Sequence, residues 1–328
     1  MLDNYLEQLM AKLPPIEHIK LRSEADCYGI ANIVSREINL PITPRSSSDW
    51  QHGWVIQGDV KYIEQLTGIT SAKKHLVALD EQEVFLRKNG IKSKAVGAPF
   101  TYIEGIDTQI ERQANSLLVM PPHGMPYTNV KWDEETYVKN IDELKKYFDL
   151  IVACVHQSCV KKNNWIGTFK KYSIPWVCGA EMHDKNALIR MHRIFKSFEY
   201  MTTNTVGSHI AYAAYSGCKV SIYGKYCEFS KEVQMADVAY IERPEMLDHN
   251  LLCASEQAIK TKFPFLFVHP KNATENRKWA YEQLGANNKV SFYELAKHLG
   301  WLPHDQLYFF TSRVCRKLKK EFLCAINQ

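Results

Sequence analysis

Two histidines close to apolar runs are the first candidates for chemistry in this 328-residue chain. His123 stands in PPHG (121–124) after the run SLLVM, and His52 stands in QHGW (51–54). Imidazole titrates near neutral pH, so it can accept a proton from an attacking hydroxyl group. We predict His123 as a general base, with His52 as the rival base or an acceptor-site residue. A loop histidine that only bonds nearby backbone is the alternative for His123.

A second candidate is the segment EYMTTNTVGSHIAYAAYSGCKVSIYG, which predicts a strand, a short turn and a helix. The strand ends in Thr203 and Asn204, and the helix opens with Gly207, Ser208 and His209. A helix N-terminus at the carboxyl edge of a parallel sheet presents free amides and a partial positive charge, which suits a phosphate group. We predict phosphate binding by these five residues. A capped core helix without ligand is the alternative. The segment has neither a P-loop lysine nor GxGxxG, which disfavours P-loop NTPases and typical dehydrogenases.

Further candidate residues lie at the ends of two other predicted strands. Gly179, Glu181 and His183 come directly after IPWVC, and Lys225 follows KVSIYG. Glu181 can accept hydrogen bonds from ribose hydroxyls or act as an acid–base group, and the other three are predicted at the phosphates. Asp184 is predicted as the N-cap of the next helix. The spacing matches no known metal motif and no DxD motif stands at a strand end, so we predict chemistry without a metal.

These residues need a framework, and the chain supplies short apolar runs alternating with helical segments. Such alternation is typical of parallel strands covered by helices on both faces. We predict an α/β fold of two Rossmann-like domains facing a cleft, over residues 1–147 and 148–303, followed by a basic helix at 304–328. The predicted strands are 52–58, 75–79, 94–99, 116–122, 148–155, 174–180, 199–204 and 219–224.

The composition is ordinary for a globular protein. Hydrophobic residues make up 45% and aromatic residues 12% of the chain, which argues against disorder. A net charge of +5, from 41 basic and 36 acidic residues, suits a phosphate-bearing ligand and does not indicate nucleic-acid binding. The nine cysteines lack a CxxC pair, and no secretory or membrane-spanning segment occurs. We therefore predict reduced thiols and a cytoplasmic protein.

The arrangement strand–TNTVGSHIAYAAYSGCKV–strand resembles the donor-binding segment of GT-B-type glycosyltransferases. The chain also resembles bacterial capsule and lipopolysaccharide biosynthesis proteins over roughly residues 50–302, in pieces such as LLVMPPHGMPYTNVKW, WVCGAEMHDKNALIRMHRIF and FVHPKNATENRKWAYEQLG. The resemblance implies a glycosyltransferase that moves a sugar from a nucleotide-sugar donor, bound by 148–303, to a glycan or lipid-linked glycan acceptor, bound mainly by 1–147. It implies no cofactor besides this co-substrate.

Departures from the resembled family bear on the mechanism. Alanine and tyrosine stand around 210–217, where retaining enzymes of this type carry glutamates, so an inverting reaction is favoured. Two alternatives to sugar transfer are transfer of a polyol phosphate or pyruvyl group, and non-catalytic binding of a glycan or nucleotide.

The C-terminal residues 304–328 predict one helix with an apolar stripe and a basic surface. Such a helix can lie on an anionic membrane at the inner face of the cell membrane. Alternatively it crosses back and packs on the other domain, as the resemblance implies. The stripe contains Leu307, Phe310, Val314, Leu318 and Phe322, and the basic residues are Arg313, Arg316, Lys317, Lys319 and Lys320.

Overall fold

Two parallel sheets form the framework of the protein. The structure is a computed structural model, and it describes residues 2–68, 72, 74–106, 110–124, 130, 132–307 and 311. The strands are β1 (Ser48–Trp50), β2 (Lys74–Val77), β3 (Ser93–Ala95), β4 (Gln113–Val119), β5 (Leu150–Val155), β6 (Trp176–Cys178), β7 (Phe198–Thr203) and β8 (Lys219–Ile222). The smaller sheet has the order β1-β2-β3 and the larger has the order β6-β5-β4-β7-β8, with parallel pairing throughout.

Helices connect the strands and extend the chain on both sides of the sheets. Before β4 the α-helices are α1 (Leu2–Lys12), α2 (Ile30–Glu37), α3 (Glu64–Thr67) and α4 (Asp80–Lys88). Between β4 and β8 they are α5 (Glu134–Asp142), α6 (Gln157–Lys162), α7 (Ile166–Lys171), α8 (Ala187–Ser197) and α9 (Ser208–Tyr215). After β8 they are α10 (Lys231–Gln234), α11 (Val238–Glu242), α12 (Pro244–Cys253), α13 (Glu256–Lys262), α14 (Arg277–Gln283) and α15 (Phe292–His298). Short 3-10 helices lie at Glu24–Gly29, Pro99–Ile103, Glu143–Lys146, Pro264–Leu266, Pro270–Asn272 and Ala286–Asn288.

The strand order of the larger sheet creates a crevice at its carboxyl edge. From β4 the chain proceeds outward through β5 to β6, and then returns to the other side of β4 to form β7 and β8. The connections after β4 and after β7 therefore leave the sheet in opposite directions. Open parallel sheets bind ligands at such a switch point, outside the carboxyl ends of the strands.

Each face of the larger sheet packs in a separate core. Leu117 and Val119 of β4 point to one face and pack with Tyr137 and Trp165. Leu118 points to the other face, because side chains alternate along a strand, and joins a core that includes Trp50 of the smaller sheet. One continuous core therefore holds the two sheets together.

The C-terminal part of the described chain crosses back to the smaller sheet. The amide of Ala98 donates to Leu284 O at 2.8 Å, just after β3. The Ser48 hydroxyl of β1 donates to His298 O at 2.7 Å, at the end of α15. The predicted fold class, α/β with two Rossmann-like units, is confirmed, and residues 284–298 make the return. Nearly all of the predicted helix 304–328 lies outside the described residues.

One predicted strand is absent at the position that the sequence suggested, and an apolar run late in the chain forms no strand. Residues 52–58 form a loop, and the strand lies just before it as Ser48-Asp49-Trp50. Ser48 and Asp49 are buried although they are polar, whereas Trp54 of the loop packs on Trp279 of α14 with ring centroids 5.6 Å apart. The apolar run 263–268 contains a 3-10 helix, since Pro264 has no amide for a strand ladder.

The two sheets do not divide at residue 148. Strand β4 precedes that residue, yet it pairs with β5 and β7 in the larger sheet. The chain passes from one sheet to the other between Ala95 and Gln113. Among the described residues, no helix has both the length and the apolar character needed to cross a bilayer.

Candidate active site at the carboxyl edge of the larger sheet

Two stacked histidines lie at the carboxyl ends of adjacent strands. His123 follows β4 and His156 follows β5, and their ring centroids are 3.9 Å apart with an angle of 9° between the planes. The main chain before His123 is held by the Trp165 indole, which donates to Pro122 O at 3.0 Å. His156 caps α6 by accepting from the Ser158 amide at 3.1 Å. Stacking on a capped ring fixes the orientation of His123.

The hydrogen bonds assign different tautomers to the two rings. Nδ1 of His123 lies 3.4 Å from Gly124 O, and a carbonyl oxygen only accepts, so this nitrogen carries the proton. Its Nε2 is therefore left with a free lone pair that can accept a proton. Nδ1 of His156 instead accepts from the Ser158 amide, so His156 presents Nε2–H.

Burial keeps this histidine group neutral. Although the ring of His123 reaches solvent, the protein around it lowers the pKa of its imidazole. Burial lowers the pKa of His156 to about 3, and charge repulsion from His123 adds to the effect. Burial also lowers the pKa of His209 to about 3, again with a contribution from His123. The three rings therefore form one electrostatically coupled group across the switch point.

The N-terminus of α9 faces this group from β7. Gly207 is the N-cap, Ser208 is the first helical residue, and the amides of Ser208 and His209 have no intrahelical acceptor. A Cβ added at Gly207 would lie 2.9 Å from the His209 ring. The ring therefore covers the start of the helix. Nε2 of His209 is buried without a hydrogen-bond partner in the described part of the chain. Within the described part of the chain, the amides at the start of α9 and this ring nitrogen therefore lie after β7, at the same sheet edge as His123 after the adjacent strand β4.

The Ser208 hydroxyl does not point into an open phosphate site. It accepts from the Trp54 amide at 2.9 Å. It also forms a hydrogen bond with Tyr212; burial raises the pKa of that phenol, and the bond to Ser208 lowers it by a smaller amount. Tyr212 in turn donates to His52 O at 2.7 Å. Ser208 thus joins α9 to the loop after β1, and it leaves only its amide for an anion.

Thr203 and Asn204 form the buried floor beside α9. The Asn204 amide group donates to Lys225 O at 3.0 Å, whereas its Oδ1 is buried without a partner among the described residues. Lys225 contributes its backbone here, and its side chain is exposed. Asn204 therefore offers an acceptor oxygen at the switch point.

The residues after β6 form a separate group. Glu181 accepts from His183 at 2.9 Å and lies 3.5 Å from His18 of the N-terminal segment. β6 lies two strands away from β4, a separation of about 10 Å. The Gly179 amide donates a hydrogen bond to Val155 O of β5 at 2.8 Å. Glu181 and His183 therefore bond each other and lie two strands from His123, whereas Gly179 lies beside the main chain that leads from β5 to His156.

Asp184 and His52 also differ from the simplest sequence interpretation. Asp184 is fully buried and accepts from the amides of Asn186 and Glu17, and Asn186 is the N-cap of α8. His52 pairs with Glu24 at 3.0 Å.

Sequence reasoning missed His156, although a histidine directly after the apolar run LIVACV is the same signal that identified His123.

The neutral histidines predict that acid destabilises the protein. The pKa values of His156 and His209 are about 3 when folded and about 6.5 in an unfolded chain. Between these values only the unfolded chain binds both protons, so the free energy of unfolding falls as pH drops below about 6.5, on the order of 1 kcal/mol per histidine and pH unit. Urea unfolding between about pH 7 and pH 5 measures this slope. The slope should flatten in the His156→Gln/His209→Gln variant and stay unchanged in His304→Gln; an equal slope in all three proteins would contradict the assignment.

Fold and site together define an α/β protein of two Rossmann-like units with a histidine-lined crevice at the switch point of the larger sheet. No protein-family profile matches the sequence, and no curated protein matches it significantly. Among solved structures, that of the pneumococcal O-GlcNAc transferase GtfA in complex with UDP and GlcNAc is similar, with a TM-score of 0.36 and 11% identity. The likeness covers 77% of this chain and 51% of that chain, so this chain spans about half the length of the transferase. A likeness this weak supports no statement about the activity of this chain.

Proposed function

We propose that the protein is a glycosyltransferase that moves a sugar from a nucleotide-sugar donor to a hydroxyl group of a glycan acceptor. One observation carries the proposal: the oriented histidine His123 and the N-terminal amides of α9 follow the adjacent strands β4 and β7, on the two sides of the switch point. A proton acceptor next to an anion-binding helix end is what transfer from a sugar nucleotide needs.

The donor is placed with its diphosphate at the start of α9. The amides of Ser208 and His209 supply hydrogen bonds, and the helix dipole favours the negative charge. The unpartnered Oδ1 of Asn204 supplies an acceptor for a hydroxyl or amino group of the nucleotide. These contacts come from the backbone and from one buried amide, so they are preorganised by the fold.

His123 acts on the acceptor in this scheme. Its Nε2 takes the proton of the acceptor hydroxyl as that oxygen attacks the anomeric carbon. The bond from this carbon to the phosphate oxygen breaks, and the nucleoside diphosphate leaves with the electron pair. The N-terminus of α9 stabilises the charge that develops on the leaving group. Direct attack in one step inverts the anomeric centre, and no metal ion takes part in it.

The biological setting is proposed from the sequence resemblance alone. We place the reaction in the assembly of bacterial capsule or lipopolysaccharide, at the cytoplasmic face of the cell membrane. The acceptor, a glycan or lipid-linked glycan, is assigned to the unit that contains the smaller sheet.

A nucleotide-release screen tests the function. The purified protein is incubated with UDP-, GDP-, CMP- and dTDP-sugars and, in parallel, with CDP-polyols. Slow hydrolysis of a sugar nucleotide, accelerated by an acceptor glycan, is the expected result. Release from CDP-polyols alone would assign transfer of a polyol phosphate instead, and no release from any donor would support a non-catalytic binding protein.

A charge placed at the start of α9 should weaken donor binding. Ser208→Glu adds a negative charge to the first residue of α9, whose amide is proposed to bind the diphosphate, and we expect at least about a tenfold loss of nucleotide affinity, about 1.4 kcal/mol. Isothermal titration with the nucleoside diphosphate released in the screen measures it. Ser208→Ala separates loss of the Trp54 link from the effect of charge, and Ser230→Glu at the N-cap of α10 controls for added charge. Equal affinity of Ser208→Glu and Ser230→Glu would refute the placement.

A further inference from the structure

Three side chains with metal-binding atoms converge beside the loop that follows β1. Glu24 and Cys27 come from the 3-10 helix Glu24–Gly29, and His52 comes from the loop. A carboxylate oxygen, the Cys27 Sγ and a ring nitrogen of His52 all lie within 4.8 Å of one another. Cysteine, histidine and glutamate together form a ligand set that Zn²⁺ prefers.

The distances between these atoms suit one shared ion. Glu24 Oε2 lies 3.0 Å from His52 Nδ1 and 3.7 Å from Cys27 Sγ. Tetrahedral Zn²⁺, with bonds of about 2.0 Å to oxygen and nitrogen and about 2.3 Å to sulfur, separates its ligand atoms by roughly 3.3 to 3.6 Å. The two distances from Glu24 Oε2 differ from this range by a few tenths of an ångström, and Cys27 Sγ lies within 4.8 Å of a His52 ring nitrogen, so a modest contraction would complete the coordination.

The backbone around the cluster is fixed by other parts of the fold. The amide next to Cys27, that of Tyr28, donates to Met182 O at 2.8 Å. The Glu24 amide donates to Asp49 Oδ1 at 2.9 Å, and the carbonyl of His52 accepts from Tyr212. Each ligand is thus positioned by a contact from a different element, as preorganised metal sites require.

Charge and exposure also favour a cation. The buried carboxylate of Asp49 adds a negative charge behind Glu24. Cys27 is 2% exposed, whereas the side chains of His52 and Glu24 are 32% and 40% exposed. The cluster is therefore anchored by a buried sulfur and opens to solvent on its other side.

We propose that Glu24, Cys27 and His52 form a Zn²⁺ site whose fourth position is open to water or to a substrate oxygen. Binding replaces the thiol proton of Cys27 with the metal, and the proton passes to solvent. The proposed glycosyl transfer uses none of these three residues, so the metal site is a separate proposal. Metal content can be measured without any donor or acceptor. It departs from the sequence-based expectation of no metal, since residues 24, 27 and 52 match no zinc motif.

Metal titration of the full chain tests the site. After chelation and dialysis, Zn²⁺ uptake is measured by elemental analysis, and Co²⁺ is added as a spectroscopic probe. We expect one Zn²⁺ per chain and a thiolate-to-cobalt charge-transfer band in the near ultraviolet. Cys27→Ser should abolish that band and weaken Zn²⁺ binding more than about 100-fold, since loss of an outer partner alone costs 10- to 100-fold.

Two further variants make the result specific. Glu24→Gln alters a half-exposed side chain that tolerates substitution, and it should weaken Zn²⁺ binding while circular dichroism stays unchanged. Cys253→Ser is the matched control, because Cys253 lies 3.6 Å from His249 as a second cysteine–histidine pair. A cobalt band that persists in Cys27→Ser, a band lost only in Cys253→Ser, or no metal uptake at all would each overturn the proposal.

Discussion

Replacing His123 with alanine is expected to reduce the turnover of glycosyl transfer by roughly 100- to 10,000-fold, the range that a positioned general base contributes. The variant loses the Nε2 lone pair that the hydrogen bond to Gly124 leaves free. The amides of α9 remain, so donor affinity should change little. Single-turnover rates with saturating donor and acceptor, together with calorimetric donor binding, separate the two effects.

A second histidine variant controls for this experiment. His269 packs against Tyr147 and Tyr223, with ring centroids 4.9 and 5.4 Å away, and takes no part in the stacked pair. His269→Ala should therefore retain turnover. If His123→Ala keeps more than about a tenth of wild-type turnover, the base is another group, and His52 and Glu181 become the candidates.

Replacing Gly29 with alanine should strongly destabilise the fold. Gly29 has φ +81°, and an added Cβ would lie 1.8 Å from the backbone oxygen of Lys185. The N-terminal segment would have to leave the loop 181–185, to which it is joined by the Tyr28 and Ile19 amides. We expect the free energy of unfolding to fall by about 3 to 5 kcal/mol, from backbone strain and overpacking together. Urea unfolding followed by circular dichroism measures it.

Gly58 provides a matched control for the backbone alone. It has the same φ of +81°, and nothing lies within 4 Å of an added Cβ. Gly58→Ala should therefore cost only the left-handed backbone strain, about 1 to 2 kcal/mol. Equal destabilisation of the two variants would show that the contact with Lys185 is not as close as described.

Much of the secondary structure could be predicted because local pattern controls it. The runs LLV of β4 and LIVACV of β5 are apolar and buried, and each is followed by residues that begin a loop or helix. β1 escaped this reasoning, since Ser48 and Asp49 are polar and are buried by partners distant in the chain, such as His298 O. The assignment of β4 to the larger sheet also required the structure, because strand pairing depends on topology.

The candidate site was predicted only in part. His123, Asn204, Ser208 and His209 follow strands in the sequence and lie together at the switch point. His156 was missed, and Glu181, which follows β6, pairs with His183 two strands away from His123. Which strand ends lie close together depends on the strand order of the sheet. Local sequence patterns do not reveal that order.

The sequence by itself determined the fold class and several residues at the crevice, because buried parallel strands and their carboxyl-end loops have local signatures. Only the tertiary structure decided which residues meet. It stacked His123 on His156, engaged Ser208 with Trp54, and brought Glu24 and Cys27 to His52. Each of these contacts joins segments separated in the chain, and their distances are fixed by strand pairing within the larger sheet and by packing between the two sheets.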